Sequence, residues 1–334
     1  MTQTDKDKLA ILRHTFDLNY RVTRLYSTYL ERFPDFLTPK IVEEICDGGK
    51  LTKKDAIVAL LTVGFGLDEN KSEDDKRIAR EYIYPSVRIF DAKKYTENPY
   101  YKNIKIDNAR CGSFELKKEC YPAYRAVIAG DILIRDDFSE VPPLGYFTED
   151  FFFPAVLEDG NEWMTLTPVD MDTSEDAIKK ARGKVVTFGL GLGYYTYMVS
   201  EKDDVESITV VEISEDVIRL FKEHILPKFK NKDKVNIVQC DAFQYAKEVM
   251  PKENFDFAFV DIWRDASDGT PLYLKMRGLE NLSPKTEFSY WIENFLISHV
   301  RSQVFEALYE MCEKGHPEAP ATYEEFVLRL CNVG

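Results

Sequence analysis

The sequence lacks any apolar run approaching the roughly 20 residues needed to span a bilayer. The stretch Met1–Lys8 is polar with no apolar core behind it, so neither a membrane span nor a secretory leader is expected. Histidine is scarce. His14, His224, His299 and His316 are scattered, and no zinc-ligand spacing appears. The six cysteines, Cys46, Cys111, Cys120, Cys240, Cys312 and Cys331, form no close pairs, which fits reduced thiols and a cytoplasmic setting. Positive charge is in deficit: 44 Lys and Arg against 58 Asp and Glu leave a net charge of −14. Nucleic acid and anionic membrane are therefore poor default partners. What remains is an ordinary globular composition, 44% hydrophobic and 31% charged, in 334 residues, enough for two domains.

What is present is concentrated between Lys184 and Asp261. Val185-Val186-Thr187-Phe188 reads as a strand and runs into Gly189-Leu190-Gly191-Leu192-Gly193, then a helix start at Tyr194. A second strand, Ser207 to Val211, ends on Glu212, and a helical pattern follows from Ser214 to about Phe229. A third strand, Val235 to Gln239, ends at Cys240-Asp241. A helix from Ala242 to Met250 leads to a fourth strand, Phe255 to Val260, ending on Asp261. Strands alternating with helices predict an α/β fold with a doubly wound, mainly parallel sheet.

Each strand end carries a residue with a chemical use. The glycines clear side chains from the first strand-to-helix turn, where such sheets bring backbone close to a ligand, and the next helix aims free N–H groups there. Glu212, about 20 residues beyond the first glycine, is placed to accept both hydroxyls of a ribose. Asp241 can accept from an adenine amino group, with Ala242-Phe243 covering the ring. The dinucleotide pattern G-x-G-x-x-G is incomplete in either register, because Tyr194 or Thr196 stands where the third glycine belongs.

Four ordered motifs carry a resemblance. Gly189-Leu190-Gly191-Leu192-Gly193, Val211-Glu212-Ile213, Cys240-Asp241-Ala242 and Phe259-Val260-Asp261 resemble those of class I S-adenosylmethionine-dependent methyltransferases. Val210 to Ile218 is most similar to the spermidine-synthase-like branch. The resemblance covers residues 183–262 and implies S-adenosyl-L-methionine as cofactor, held by Gly189, Gly191, Gly193, Glu212, Ile213, Asp241, Ala242 and Asp261. There are departures. Many such methyltransferases carry an acid two residues before the first glycine, near the methionine amino group; here it is Thr187. The branch signature resembling Asp-Ser-Ser-Asp-Pro reads Asp261-Ile262-Trp263-Arg264-Asp265, and no Asn/Asp-Pro-Pro-Tyr element occurs.

Three regions are expected: a helical domain over 1–92, a β-hairpin or irregular connecting region over 93–175, and the nucleotide-binding fold with C-terminal helices over 176–334. Helices are predicted at Asp5–Arg32, with Leu9, Leu12, Phe16, Tyr20 and Leu25 on one stripe; at Ile41–Cys46; at Lys53–Val63, capped by Thr52; and at Ser72–Ile83, ending before Pro85. This extension is either a packing layer or a surface for substrate or a homodimer partner. A hairpin is predicted from Tyr124 to Ile134 about Ala129-Gly130-Asp131. In the spermidine-synthase-like layout a hairpin lines the substrate pocket, which makes Tyr146, Phe147 and Glu149 candidates beside Trp263; the alternative is that these aromatics are core. Glu287 to Ile292 reads as a fifth strand or a helix start. Ile297–Cys312 and Tyr323–Leu330 read as helices. No sixth or seventh strand is found, so strands of the middle region are candidates to complete the sheet.

Transfer from a sulfonium is an in-line displacement, in which the protein mainly positions the acceptor. Asp261 is the best-placed base or amine-orienting acid, with Asp265 and Tyr195 behind it. Three functions follow: a methyltransferase on a small molecule or protein, a polyamine aminopropyltransferase, or a non-catalytic module that keeps the nucleotide pocket or uses the fold for interaction and assembly.

Overall fold

The computed structural model describes residues 3–264 and 266–314. The chain divides into two compact units. One takes the chain up to Ala92, Tyr121–Phe151 and the described residues from Ile297; the other takes Lys93–Cys120 and Phe152–Leu296. Residues 93–175, read from the sequence as one connecting region, are shared between them.

The first unit is mainly helical. Gln3–Arg32 is a single 30-residue helix that buries Thr15, Phe16, Leu18, Asn19, Val22, Tyr26 and Tyr29, a three- and four-residue spacing that defines one face. Tyr20 departs from its expected place on that stripe and is 70% exposed. Thr38 caps Pro39–Cys46, and Thr52 with Asp55 forms a capping box on Lys53–Gly64. The next helix runs past Ile83: Glu73–Arg77 widens into a π-helical stretch, Ile78–Ile83, and ends in Tyr84–Ser86, which contains Pro85. In the widened turn the Tyr84 N–H reaches back to the Ala79 carbonyl, five residues away. That spacing relieves the i−4 clash a proline would otherwise meet. The helix Glu293–Lys314 returns to this unit, where Phe305 stacks on Phe16 at 4.1 Å and Glu306 pairs with Arg13 at 2.8 Å.

The expected hairpin at Tyr124–Ile134 does not form. Val127–Ile128 pairs antiparallel with Leu144–Phe147, whose other edge runs parallel to Val87–Phe90, while Leu133–Ile134 pairs with Glu140–Val141. Each short strand finds a more distant partner, and the Ala129 N–H is taken by the Pro143 carbonyl across the would-be turn.

The second unit carries the parallel sheet. Five strands, β1 (Gly183–Phe188), β2 (Val205–Glu212), β3 (Val235–Gln239), β4 (Phe257–Val260) and β5 (Glu287–Tyr290), lie in the order β3-β2-β1-β4-β5, every pair parallel. Parallel neighbours require crossovers. Helices α1 (Pro168–Lys180), α2 (Tyr194–Ser200), α3 (Glu215–His224), α4 (Ala242–Glu248) and α5 (Ala266–Arg277) flank the strands in sequence. β1 and β4 are buried almost throughout, as central strands covered on both faces must be. Glu287–Tyr290 is thus a strand, not a helix start. The middle-region strands do not extend this sheet. Ala109–Cys111, Phe114–Tyr121, Phe151–Glu158 and Asn161–Thr165 form a separate four-stranded sheet. Tyr323–Leu330 lies outside the described residues. Among the described residues no helix is long and apolar enough to cross a membrane.

Lys202 closes the C-terminus of α1. Its Nζ donates to the Ile178 and Lys179 carbonyls at 2.9 Å and to the Ala181 carbonyl. A cation there meets the helix dipole and satisfies carbonyls that the helix leaves free. Lys202→Met is expected to lower stability by about 1–2 kcal/mol, read as a shift of the urea midpoint at unchanged slope. An unshifted midpoint would rule out this anchoring role.

Candidate functional site

The carboxyl ends of β1, β2 and β4 come together at the glycine loop. Gly189 opens it at φ +94°, with its N–H on the Val211 carbonyl (2.9 Å), while the Asp261 N–H bonds to the Phe188 carbonyl (2.9 Å). A side chain at Gly189 would meet the Asp261 carbonyl oxygen at 1.9 Å. Gly191 (φ +51°) lies beneath the Met164 thioether, and Gly193 (φ +71°) caps α2 against the Phe221 ring. The glycines are therefore required by the protein's own neighbours, whatever ligand the turn approaches. The far side of the loop is braced by the short helix Pro99–Asn103. There, buried Tyr100 donates its hydroxyl to the Leu192 carbonyl at 2.5 Å, and Asn98 donates to the Tyr194 hydroxyl at 3.1 Å.

A small cleft, open to solvent at its mouth, lies at this point. Asp170, Thr187 and Asp261 give it polar walls, while Met164, Tyr195 and Phe259 give apolar ones. No Lys, Arg or His lines it. Asp261 is part-exposed, and burial pushes its carboxyl up to about 8, with the charges of Asp170 and Glu212 adding to the effect. Asp170 is pushed up to about 6 by burial, against hydrogen bonds from Thr167. Tyr195 stacks on Phe259 at 4.2 Å, and Tyr194 is turned toward Asn98, so both rings are walls of the cleft.

Glu212 is 7% exposed, and its carboxylate accepts from the backbone N–H groups of Leu190 (3.2 Å) and Ser214 (2.8 Å). Burial raises its pKa, partly offset by these donors. Ile213 beside it is 66% exposed. Asp241 is exposed and caps α4 through the Gln244 N–H (2.8 Å), with Ala242 following at partial exposure. Glu212, Ile213, Asp241 and Ala242 thus stand at the ends of β2 and β3, and Asp261 at the end of β4.

The other candidates stand elsewhere. Tyr146 is fully buried in the core of the first unit, its hydroxyl 3.4 Å from that of Tyr29, and Phe147 is equally buried. This corrects the expectation that these rings face a ligand: they are core. Glu149 is exposed in the turn before Phe151. Trp263 is buried beside Gly269 and lies nearly parallel to Tyr290 at 6.4 Å, so it packs the sheet end rather than lining the cleft. Asp265 lies outside the described residues. Asp268 is exposed and accepts from the Arg264 N–H. Asp170 was missed, although Thr167-Pro168-Val169-Asp170 is a legible helix start with an acid at the capping-box position. Among the described residues no group of three or more His, Cys, Asp or Glu is arranged to hold a metal ion.

Residues 175–277 match the family model of the spermine/spermidine synthase domain. No curated protein matches the sequence. Among solved structures, spermidine synthase from Thermotoga maritima is similar at 14% identity over 46% of this chain and 53% of that one, with a TM-score of 0.27. The methyltransferase domain of bacterial CtHen1-C is similar at 16% identity over 34% and 56%, with a TM-score of 0.24. The chain spans about half the length of the solved structures it matches. Residues 175–277, which carry β1 to β4 and the glycine loop, are similar to the spermine/spermidine synthase domain and lie on an all-parallel, doubly wound sheet.

Proposed function

We propose that the second unit binds an S-adenosyl sulfonium and transfers its alkyl group to an amine, with aminopropyl transfer from decarboxylated S-adenosylmethionine as the leading reading. The observation that carries it is the charge of the cleft: Asp170, ionised at neutrality, lines it beside Asp261, and no basic side chain does. Such a wall attracts ammonium and sulfonium groups and disfavours a ligand carboxylate. The match to the spermine/spermidine synthase domain supports the same reading.

The residues fit a nucleoside. Each Glu212 oxygen holds one backbone donor and keeps lone-pair capacity for a ribose hydroxyl. Asp241 retains an oxygen for an adenine amino group, and exposed Ile213 can cover the ring. Bound there, the sulfonium supplies the leaving group. The acceptor ammonium must lose a proton before its nitrogen attacks. Asp261, whose carboxyl is pushed up to about 8, is matched to take that proton near neutrality. Methyl transfer from S-adenosyl-L-methionine to a small-molecule or protein acceptor is the second reading, because the glycine loop, Glu212 and Asp241 serve either donor.

Calorimetric titration with S-adenosylmethionine, S-adenosylhomocysteine and the decarboxylated sulfonium tests this. The decarboxylated form is expected to bind tightest, by about tenfold or more, equivalent to about 1.4 kcal/mol. Tighter binding of the two carboxylate-bearing ligands would move the assignment to methyl transfer, and no binding of any would overturn both. Glu212→Ala is expected to weaken every nucleoside at least tenfold, roughly the effect of losing one or two charge-assisted hydrogen bonds. Unchanged affinity would remove the ribose assignment.

A further inference from the structure

Asp170 is a cleft acid outside residues 175–277 and outside every strand-end motif. It stands in the first turn of α1, where its Oδ2 accepts from the Thr167 N–H at 2.7 Å and the Thr167 hydroxyl at 2.9 Å. Those bonds fix the rotamer of a side chain that also lines the cleft. Thr187, on β1, lines the same cleft with a hydroxyl and no charge. The negative charge on this wall therefore comes from α1 and not from the strand that leads into the glycine loop.

A second observation points independently to a ligand. Tyr195 is 7% exposed, lines the cleft and lies nearly parallel to Phe259, yet its buried hydroxyl has no hydrogen-bond partner. Buried hydroxyls are almost always bonded, and an unmade bond at such a site is costly. By contrast, the neighbouring Tyr194 hydroxyl is held by Asn98.

We infer that Asp170 and Tyr195 form the seat for a primary ammonium on the nucleoside ligand's side chain, the carboxylate supplying the counter-charge and the phenol oxygen a hydrogen-bond acceptor. This rests on the donor reading above and deepens it: the donor chain must carry a free amino group, and Asp261 is left to the acceptor. The ionisation of the two acids fits this division. Burial pushes Asp170 to about 6, which leaves it charged at neutrality, while Asp261 at about 8 is mostly protonated there and only its ionised fraction is the base that takes the acceptor's proton. Pairs of acids driven apart in this way take different roles.

The test uses two thioether nucleosides, both uncharged at sulfur, of which only the first carries an ammonium: S-adenosyl-3-thiopropylamine and 5′-methylthioadenosine, titrated into the full chain and into Asp170→Asn and Tyr195→Phe. Wild type is expected to favour the amine at least tenfold. Asp170→Asn, which keeps an acceptor for Thr167, should erase most of that preference and leave 5′-methylthioadenosine binding within about twofold. Tyr195→Phe should cut the preference about three- to tenfold. Thermal midpoints confirm that each variant is folded, and Tyr195→Phe stands as the near-isosteric check if Asp170→Asn is not. The seat is overturned if both folded variants keep the wild-type preference, or if they lose both ligands equally. If wild type binds neither nucleoside, the donor reading fails and the seat with it. If it binds both with no preference, only the seat fails.

Discussion

Gly189→Ala is expected to destabilise the protein by on the order of 3–5 kcal/mol and to abolish nucleoside binding. Two costs act together. The φ of +94° lies outside the region that an L side chain tolerates. The new methyl would also stand 1.9 Å from the Asp261 carbonyl oxygen and 3.0 Å from its carbonyl carbon. That neighbour is backbone, pinned by the Asp261 N–H to the Phe188 carbonyl, so it cannot yield without tearing the β1–β4 edge. Gly191→Ala is a contrasting case. Its φ of +51° is left-handed helical, and the clash is with the flexible end of Met164. A loss of about 1 kcal/mol is expected there. Denaturant midpoints for the two variants decide the matter: equal losses would mean that the loop is not held against the Asp261 backbone.

Asp261→Asn is expected to lower transfer activity by roughly 10²–10⁴-fold while raising stability at alkaline pH, two effects of opposite sign from one side chain. Its folded pKa, raised from 3.8 to about 8, means that the folded state holds a proton which the unfolded state releases near 4. The stability this contributes is complete below about pH 4 and is lost as pH rises toward about 8. Asparagine does not titrate and keeps it. The variant should therefore gain on wild type by roughly 1–3 kcal/mol between pH 5 and 9. Urea midpoints at pH 5, 7 and 9 would show the gap opening; a constant gap would mean that the Asp261 carboxyl is well solvated.

The parallel sheet was legible because its strands obey local rules. Val185–Phe188, Ser207–Val211 and Val235–Gln239 are apolar or β-branched runs closed by Gly, Glu and Asp, and the structure sets all three within parallel strands. The first unit was legible only element by element. The Thr52 cap is written in four consecutive residues, whereas the partner of Val127–Ile128 is set by packing and lies beyond the apparent turn. Tyr20 met the helical spacing and still faces solvent, since spacing defines a stripe but not its edge. Strand ends announced Gly189 and Asp261, which line the cleft, and Glu212, which holds the Leu190 N–H of the glycine loop. Asp170 did not announce itself, because its role arises from where α1 comes to lie, and Thr-Pro-Val-Asp by itself reads only as a helix start.

The interleaving of the two units has a consequence for the order of events at the ribosome. Arg13 and Glu306 are joined across 293 residues, and Phe16 finds its stacking partner only in the last described helix. At roughly 5–20 residues per second, the first helix emerges some 15–60 s before the segment that covers it. The unit holding residues 93–120 and 152–296 can be completed during that interval, so the helical unit, first to be made, is the last to close. An early stop or a cleavage near Ile297 would leave the Phe16 face of a finished helix uncovered, a surface of the kind chaperones bind.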